Sequence, residues 1–367
     1  MALGAALTIV CALLGGMVQL VMDKEGTGLQ DRVVTIGDIA RRAGVAASTV
    51  SRALSNPDRV NAGTREKIEQ IAAELGYVPS AMARNLRMGK TGTIAVLVPD
   101  VSNPFSFEIV RGTQTQIRAE GYSQVLINTE QAKDFELDVM RQLRRSADGV
   151  VLGSSMLTDE QLAELSSLQP LVTINRPTAD APTVLIDSAT AMTAAVNFLA
   201  DLGHSSVTYV SGPEHSWSNR QRWEAVEKAA AVKNMRVTRT SPYPADKVSG
   251  AAAADEALAT GSTSVIAFND MLAIGMLQRM RELGVAVPGG ISIIGCDDVL
   301  GADFCNPPLT TVASPIEQAG QVAVSMLLSR LNPTAKAMAN PFVLPSQLVV
   351  RASTGPAPKS LARGRVS

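Results

Sequence analysis

The spacing of apolar residues changes near residue 92. Between Val34 and Tyr77 apolar residues recur at helical intervals. Ile36, Ile39 and Ala40 stripe a first short helix. Val50 and Leu54 stand at i, i+4 on a second, running from Ala47 to Leu54. Ile68, Ile71, Ala72 and Leu75 line a third. Thr35, with Asp38 three residues on, opens the first helix in capping-box fashion. Gly44 and Val45 make the turn to the second, Asn61 caps the third, and Gly76 stops it. Two short helices joined by a glycine-containing turn and braced by a third have helix-turn-helix geometry.

From Thr93 onward short apolar runs alternate with helical stretches. Ile94–Val98, Ser123–Ile127, Gly149–Leu152, Leu171–Ile174, Val207–Val210, Val265–Ala267 and Ile291–Ile294 read as strands. Phe105 to Glu120 and Asp134 to Ser146 are among the helices between them. The alternation predicts an α/β body of doubly wound parallel sheets. The units are too many for one compact sheet, so two lobes are expected. The helical stretch Ile316–Leu331 is expected to pack between the lobes or at a dimer interface. Its apolar residues are Val322, Ala323, Met326 and Leu327. The resulting plan is a leader at 1–31, a DNA-reading domain at 32–78, a linking segment at 79–91 and a body at 92–354. The body's N-lobe takes about 92–187 and 316–343, its C-lobe about 188–315 and 344–354, and a disordered tail follows at 355–367.

Charge adds what the pattern cannot. Of 367 residues, 46% are hydrophobic, enough for sizeable cores, and the net charge is only −1. Residues 31–90 nevertheless hold ten Lys/Arg against six Asp/Glu, a balance of +4, and the rest of the chain carries −5. A basic headpiece on an acidic body suits DNA contact at one end. The second helix shows Ala47, Ser48, Thr49, Ser51 and Arg52 on its outer face, where a recognition helix needs groups that reach base edges or phosphates. Thr35, Asn61 and Thr64 sit at helix starts, which hold phosphates.

Other chemistry is sparse. Cys11, Cys296 and Cys305 lack metal-ligand spacing, and His204 and His215 are too few for a metal cluster. His204, between a helix and a strand, reads as structural. There is no GxGxxG after a strand, no phosphate-binding loop and no nucleophile elbow, so neither a cofactor nor an enzyme is expected. Residues 1–22 are uncharged and long enough to cross a bilayer. They read as a membrane anchor, an export signal or residues upstream of a true start at Met22. The third is favoured, because export would part the headpiece from DNA. A membrane-tethered or solute-binding sensor is the alternative function.

Ligands of open α/β sheets sit at the carboxyl ends of strands. The residues there include Asp100, Asn103, Phe105, Ser154, Ser155, Asn175 and Arg176. Ser216, Ser218, Arg222, Asn269, Asp270, Asp297 and Asp298 complete the set. These polar groups with a few rings suit a polar ligand such as a sugar, although each also serves as a helix cap.

Particular motifs then point to a family. They are the Tyr77–Arg87 segment YVPSAMARNLR, with VSNPF at 101–105, DGVVL at 148–152 and FNDMLAIG at 268–275. ISIIGCDD at 291–298, NPPLTTV at 306–312 and LPSQLVVRAS at 344–353 complete them. From about Val34 to Thr354 the chain resembles the LacI/GalR family of bacterial transcription regulators. The resemblance implies a cytoplasmic homodimeric repressor that reads a pseudo-palindromic operator and answers to a small polar effector of carbohydrate class, with inducer and co-repressor modes both open. It implies a body like a periplasmic sugar-binding protein, two lobes joined by three crossovers. Tyr77, Pro79, Ala83 and Leu86 match the family's hinge helix, whose leucine wedges into the minor groove. Arg222 and Asp297 match the effector-binding arginine and aspartate, Phe105 an aromatic contact, and Ser216, Ser218 and Asn269 further cleft positions. Ser154 joins them from its place after a strand. The chain departs from the family at Ala46, where a capping Ser is common, and at Ala47, which has no base-reading group. Ala245 stands where many members place an aromatic, and Ser188 and Ala191 replace a frequent Asn and Gly. No apolar heptads follow Arg351, so a dimer rather than a tetramer is expected.

Overall fold

The computed structural model describes residues 34–55, 59–77, 90–332, 334, 338 and 340–358. The leader at 1–22, and Pro79, Ala83 and Leu86, lie outside these. Two compact units divide the chain at Ala83/Arg84.

The first unit holds α1 (Ile36–Ala43), α2 (Ala47–Ser55) and α3 (Ala62–Glu74). The Thr35 backbone N–H and hydroxyl both donate to Asp38 Oδ2, at 3.0 and 2.7 Å. Gly44 ends α1 at φ 70, a left-handed conformation that glycine adopts without steric cost. Ile39, Val50 and Ile68, one from each helix, are fully buried against one another's cluster, with Ala53 and Ile71 beside them. The apolar stripes read from the sequence are therefore the core of this unit.

The second unit is built from β1 (Thr93–Val98), α4 (Pro104–Ala119), β2 (Ser123–Asn128), α5 (Lys133–Leu143), β3 (Gly149–Gly153), α6 (Asp159–Leu168), β4 (Leu171–Ile174) and β5 (Thr183–Asp187). There follow α7 (Ser188–Asp201), β6 (Ser206–Val210), α8 (Trp217–Val232), β7 (Arg236–Arg239), α9 (Gly250–Ala259), β8 (Ser264–Ala267), α10 (Asp270–Glu282), β9 (Ser292–Asp297) and β10 (Thr310–Ala313). The chain then returns through α11 (Ile316–Leu331), β11 (Phe342–Pro345) and β12 (Gln347–Val349).

Two six-stranded sheets result, in the orders β11-β5-β4-β3-β1-β2 and β12-β10-β9-β8-β6-β7. All pairings are parallel except β10 with β12. Both strand sets are flanked by helices, which is why β1, β3, β4, β6, β8 and β9 are apolar and buried almost throughout. The chain passes between the lobes three times, at Asp187–Ser188, at Ser314–Pro315 and at Ser346. The first lobe reaches Pro345, two residues beyond the boundary expected at 343, because Leu344 and Pro345 pair with β5.

Helix α11 packs within the first lobe, where residues 316–343 are expected. Ile316, Ala319, Ala323, Val324 and Leu327 lie in the first lobe's core with Ile94, Val151 and Val172, so the helix covers the face of that sheet. It crosses α4 backbone to backbone. A Cβ at Gly112 would lie 2.0 Å from the Glu317 carbonyl oxygen, and one at Gly320 would lie 2.6 Å from that of Ile109.

Gly355 and Ala357, expected in a disordered tail, are hydrogen-bonded to the second lobe. The Gly355 carbonyl accepts from Ser292 Oγ at 3.2 Å, and Ala357 N–H donates to the Leu202 carbonyl at 2.9 Å. His204 is structural, as read: its ring nitrogens contact Thr263 Oγ1, Ser292 Oγ and the Gly355 carbonyl at 2.8, 3.1 and 3.1 Å. Burial holds its pKa below the ordinary value.

Candidate functional site

Each unit presents one surface with chemistry to offer. On the first, buried Val50 and Ala53 fix the rotation of α2. That leaves Ala47, Ser48 and Arg52 exposed and Thr49 and Ser51 half-buried on its outer side. Thr35 and Asn61 are exposed at the starts of α1 and α3, and Thr64 is half-buried in the first turn of α3. Asn61 Oδ1 accepts from Gly63 N–H at 3.0 Å, so its side chain caps the helix. Tyr77 packs against the core of this unit.

The cations divide into two sets. Arg42 pairs with Glu74 at 3.2 Å, and Lys67 donates to the Ala43 carbonyl at 3.0 Å. These brace α1 against α3. Arg52 and Arg59 are exposed and form no ion pair among the described residues, which leaves their charge for phosphates.

On the second unit, the strand ends of the two lobes face each other across a cleft with about 660 Å³ of free space, part of it open to solvent. All seven residues read as effector contacts line it: Phe105, Ser154, Ser216, Ser218, Arg222, Asn269 and Asp297. Asp100, Asn103 and Asn175, noted as strand-end residues, line it as well. Gln131, Met156, Pro213 and Phe268 also line it and gave no sequence signal, because nothing marks them beyond their nearness to strand ends.

Arg222 organises the second-lobe wall. It rises from α8, whose start is capped by Ser216 Oγ accepting from Asn219 N–H at 3.2 Å. Its Nε donates to Ser188 Oγ at 3.0 Å, one terminal nitrogen to the Phe268 carbonyl, and the other to Asp297 Oδ1 at 2.9 Å. The guanidinium also lies 4.8 Å from the centre of the Phe268 ring. Burial works against both charges of the pair; it pushes Asp297 up, and Arg222 pulls it back. The hydroxyl of Ser188 thus completes the arginine's cradle, a role its sequence position did not suggest.

Backbone strain gathers at this cleft. Among the described residues seven non-glycine residues have positive φ, and four of them line it: Gln131 (57), Ser154 (50), Asn175 (53) and Asp297 (112). Such conformations are costly for side-chain-bearing residues and mark functional surfaces when their surroundings hold them. Asn175 is held by its Oδ1 accepting from Ile186 N–H at 2.9 Å. Asn103 Nδ2, from the first lobe, and Asn269 Nδ2, from the second, approach the same Ala245 carbonyl at 3.4 and 3.1 Å. The backbone at Ala245 therefore bridges the lobes at a position without an aromatic ring.

Residues 35–80 match the bacterial regulatory proteins, lacI family, and residues 196–354 match the periplasmic binding protein-like domain. The HTH-type transcriptional repressor CytR of Escherichia coli (strain K12) is 33% identical over 338 residues, 89% of this chain and 97% of CytR. The chain belongs to the LacI family. The HTH-type transcriptional repressor PurR of Vibrio campbellii is 31% identical over 82% of this chain and 92% of its own. Among solved structures, the Lac repressor dimer bound to operator and the anti-inducer ONPF superimposes with a TM-score of 0.78. It is 26% identical, over 88% of this chain and all of that one. A LacI family regulator from Enterococcus faecium with bound ribose gives 0.63 at 29% identity, over 72% of this chain and 99% of its own.

This LacI-family chain is thus a DNA-binding transcriptional regulator controlled through its periplasmic-binding-protein-like body, and not an enzyme. No helix among the described residues is long and apolar enough to cross a membrane.

Proposed function

We propose that the cleft binds a neutral polyhydroxylated effector of sugar class, and that its occupancy controls binding of a homodimer to a pseudo-palindromic operator. A regulator that works on DNA would act in the cytoplasm, which supports a cytoplasmic location. The observation that carries the effector class is the Arg222–Asp297 pair. A guanidinium has five N–H donors, and three are engaged by Ser188, Phe268 and Asp297, which leaves two for a ligand. A fork and a carboxylate side by side donate to and accept from adjacent hydroxyls. Ser216 and Ser218 add hydroxyls, and Phe105 an apolar face.

The charge of the cleft argues against a phosphorylated effector. Among the described residues no lysine lines the cleft, and the one arginine there is already balanced by Asp297, while Asp100 adds a further negative charge. A dianionic phosphate would find no compensation there.

On the DNA side, we assign Ser48, Thr49, Ser51 and Arg52 to the groove-facing side of α2. Thr35, Asn61 and Thr64 are assigned to phosphates, and Ala47 to a close apolar contact. Ala83 and Leu86 carry the family's hinge role by resemblance.

Thermal unfolding with D-ribose, cellobiose and ribose 5-phosphate tests the effector class. At a hundred times Kd a ligand stabilises by about 2.7 kcal/mol, several degrees for a chain of this size. A rise with a neutral sugar that disappears in Arg222→Ala is the expected result. A larger rise with the sugar phosphate overturns the assignment.

A further inference from the structure

Asp270 lies directly behind the cleft and is completely buried. It is the first residue of α10. Its Oδ2 accepts from Val299 N–H at 2.9 Å, and its Oδ1 accepts from Thr311 Oγ1, on β10, at 2.6 Å. The carboxylate occupies room that β9 leaves for it: a Cβ at Gly295 would lie 2.1 Å from Asp270 Oδ1.

The segment it holds has an unusual backbone. Asp297 and Asp298 are consecutive residues with positive φ, 112 and 56. Two such residues in a row need outside support. Asp298 is tied to Arg351 at 2.7 Å, and Val299 is tied to Asp270. The two ends of this turn reach different places. Asp297 lines the cleft beside Arg222. Val299, although it belongs to the second lobe, is buried among first-lobe residues that include Ile109 and Ile316. Met271, next to Asp270 on α10, packs against the same cluster.

We propose that Asp270 is a positioning residue that couples the cleft carboxylate of Asp297 to the contact Val299 makes with the opposite lobe. This rests on the reading of the cleft as the effector site. A ligand that pulls on Asp297 displaces a turn whose far end is anchored at the Asp270 carboxylate, and the displacement is passed to the first lobe through Val299. A buried carboxylate is an expensive way to stabilise a fold, since an apolar side chain would fill the space at less desolvation cost. Burial and the neighbouring Asp297 raise its pKa to about 7.

Hydrogen exchange on the full-length protein, without any ligand, tests the coupling. Two peptides are followed, 296–303 in the turn and 104–110 in the first lobe. In Asp270→Ala both exchange about tenfold faster or more, as local opening becomes easier. Asp270→Asn keeps an acceptor for the Val299 N–H and leaves both slow. Thr311→Val removes one partner of the carboxylate and loosens 296–303 to a smaller degree. Wild-type exchange of 296–303 in Asp270→Ala overturns the proposal, as does loosening of 296–303 while 104–110 stays slow. Asp270→Leu fills the space without an acceptor, and exchange as slow as wild type in that variant shows mere space-filling and overturns the proposal too. If Asp270→Ala does not fold, unchanged exchange in Thr311→Val serves as the refutation. Because no ligand enters, these results stand apart from the sugar titration that tests the cleft itself.

Discussion

Arg222 and Asp297 meet at 2.9 Å in the second lobe, with side chains 3% and 5% exposed. Removing one partner leaves the other charged and buried, which costs about 3–5 kcal/mol. Arg222→Ala and Asp297→Ala are each expected to lower the urea midpoint of the body and to abolish effector response. Arg222→Met combined with Asp297→Leu is expected to recover most of the stability and none of the response. Recovery of response in the double variant would remove this pair from the binding surface.

The close crossing of α4 and α11 gives a second expectation. Gly112→Ala places a methyl against the Glu317 backbone, where no side chain can rotate away. Overpacking of this kind costs about 1–3 kcal/mol. Thermal unfolding should show the loss, and operator affinity measured well below the transition should not change.

Asp270 sets a pH dependence whose sign can be worked out. Its folded pKa, about 7, lies above the ordinary carboxyl value of 3.8. Between those values the native state binds more protons than the unfolded chain, so this group's contribution falls as pH rises from about 4 to 7 and is level above. His204, held low by burial, acts in the opposite direction as pH falls below its ordinary value. The difference in unfolding free energy between wild type and Asp270→Asn isolates the carboxyl. It should fall by as much as roughly 4 kcal/mol over that window, at 1.36 kcal/mol per pKa unit. A difference independent of pH would place the titration elsewhere.

For the headpiece, Arg52 and Ser48 should separate charge from reading. Arg52→Ala is expected to weaken binding to all DNA and to reduce the slope of log K against log salt by about 1. Ser48→Ala leaves that slope alone and relaxes preference at one base pair. Binding to operator and to random duplex across a salt series distinguishes the two.

Sequence carried the elements and most of the cleft wall for one reason. In parallel sheets the ligand surface is defined by where strands stop, and buried strands such as Ile94–Val98 are plain in the apolar pattern. Phe105, Arg222 and Asp297 were legible on that rule. Phe268 was not, because its ring follows β8 as any core residue might, and only the fold turns it beneath the guanidinium. Asp270 was visible as a strand-end acid, but its partners Val299 and Thr311 are 29 and 41 residues away. The crossing of α11 with α4 was not legible, because the two helices lie some two hundred residues apart and the glycines that admit the contact look like any helical Gly. The hinge positions Ala83 and Leu86 fall outside the described residues.

The first lobe is interrupted by the whole of the second. Its last helix and last strand, α11 and β11, come after every strand of the second sheet but β12. During synthesis the headpiece leaves the ribosome complete, with its three helices contiguous in the chain. The first lobe must wait with the face of its sheet uncovered until residues 316–345 arrive. A message truncated after β10 would therefore yield a finished DNA-reading unit attached to an unfinished, apolar and aggregation-prone body.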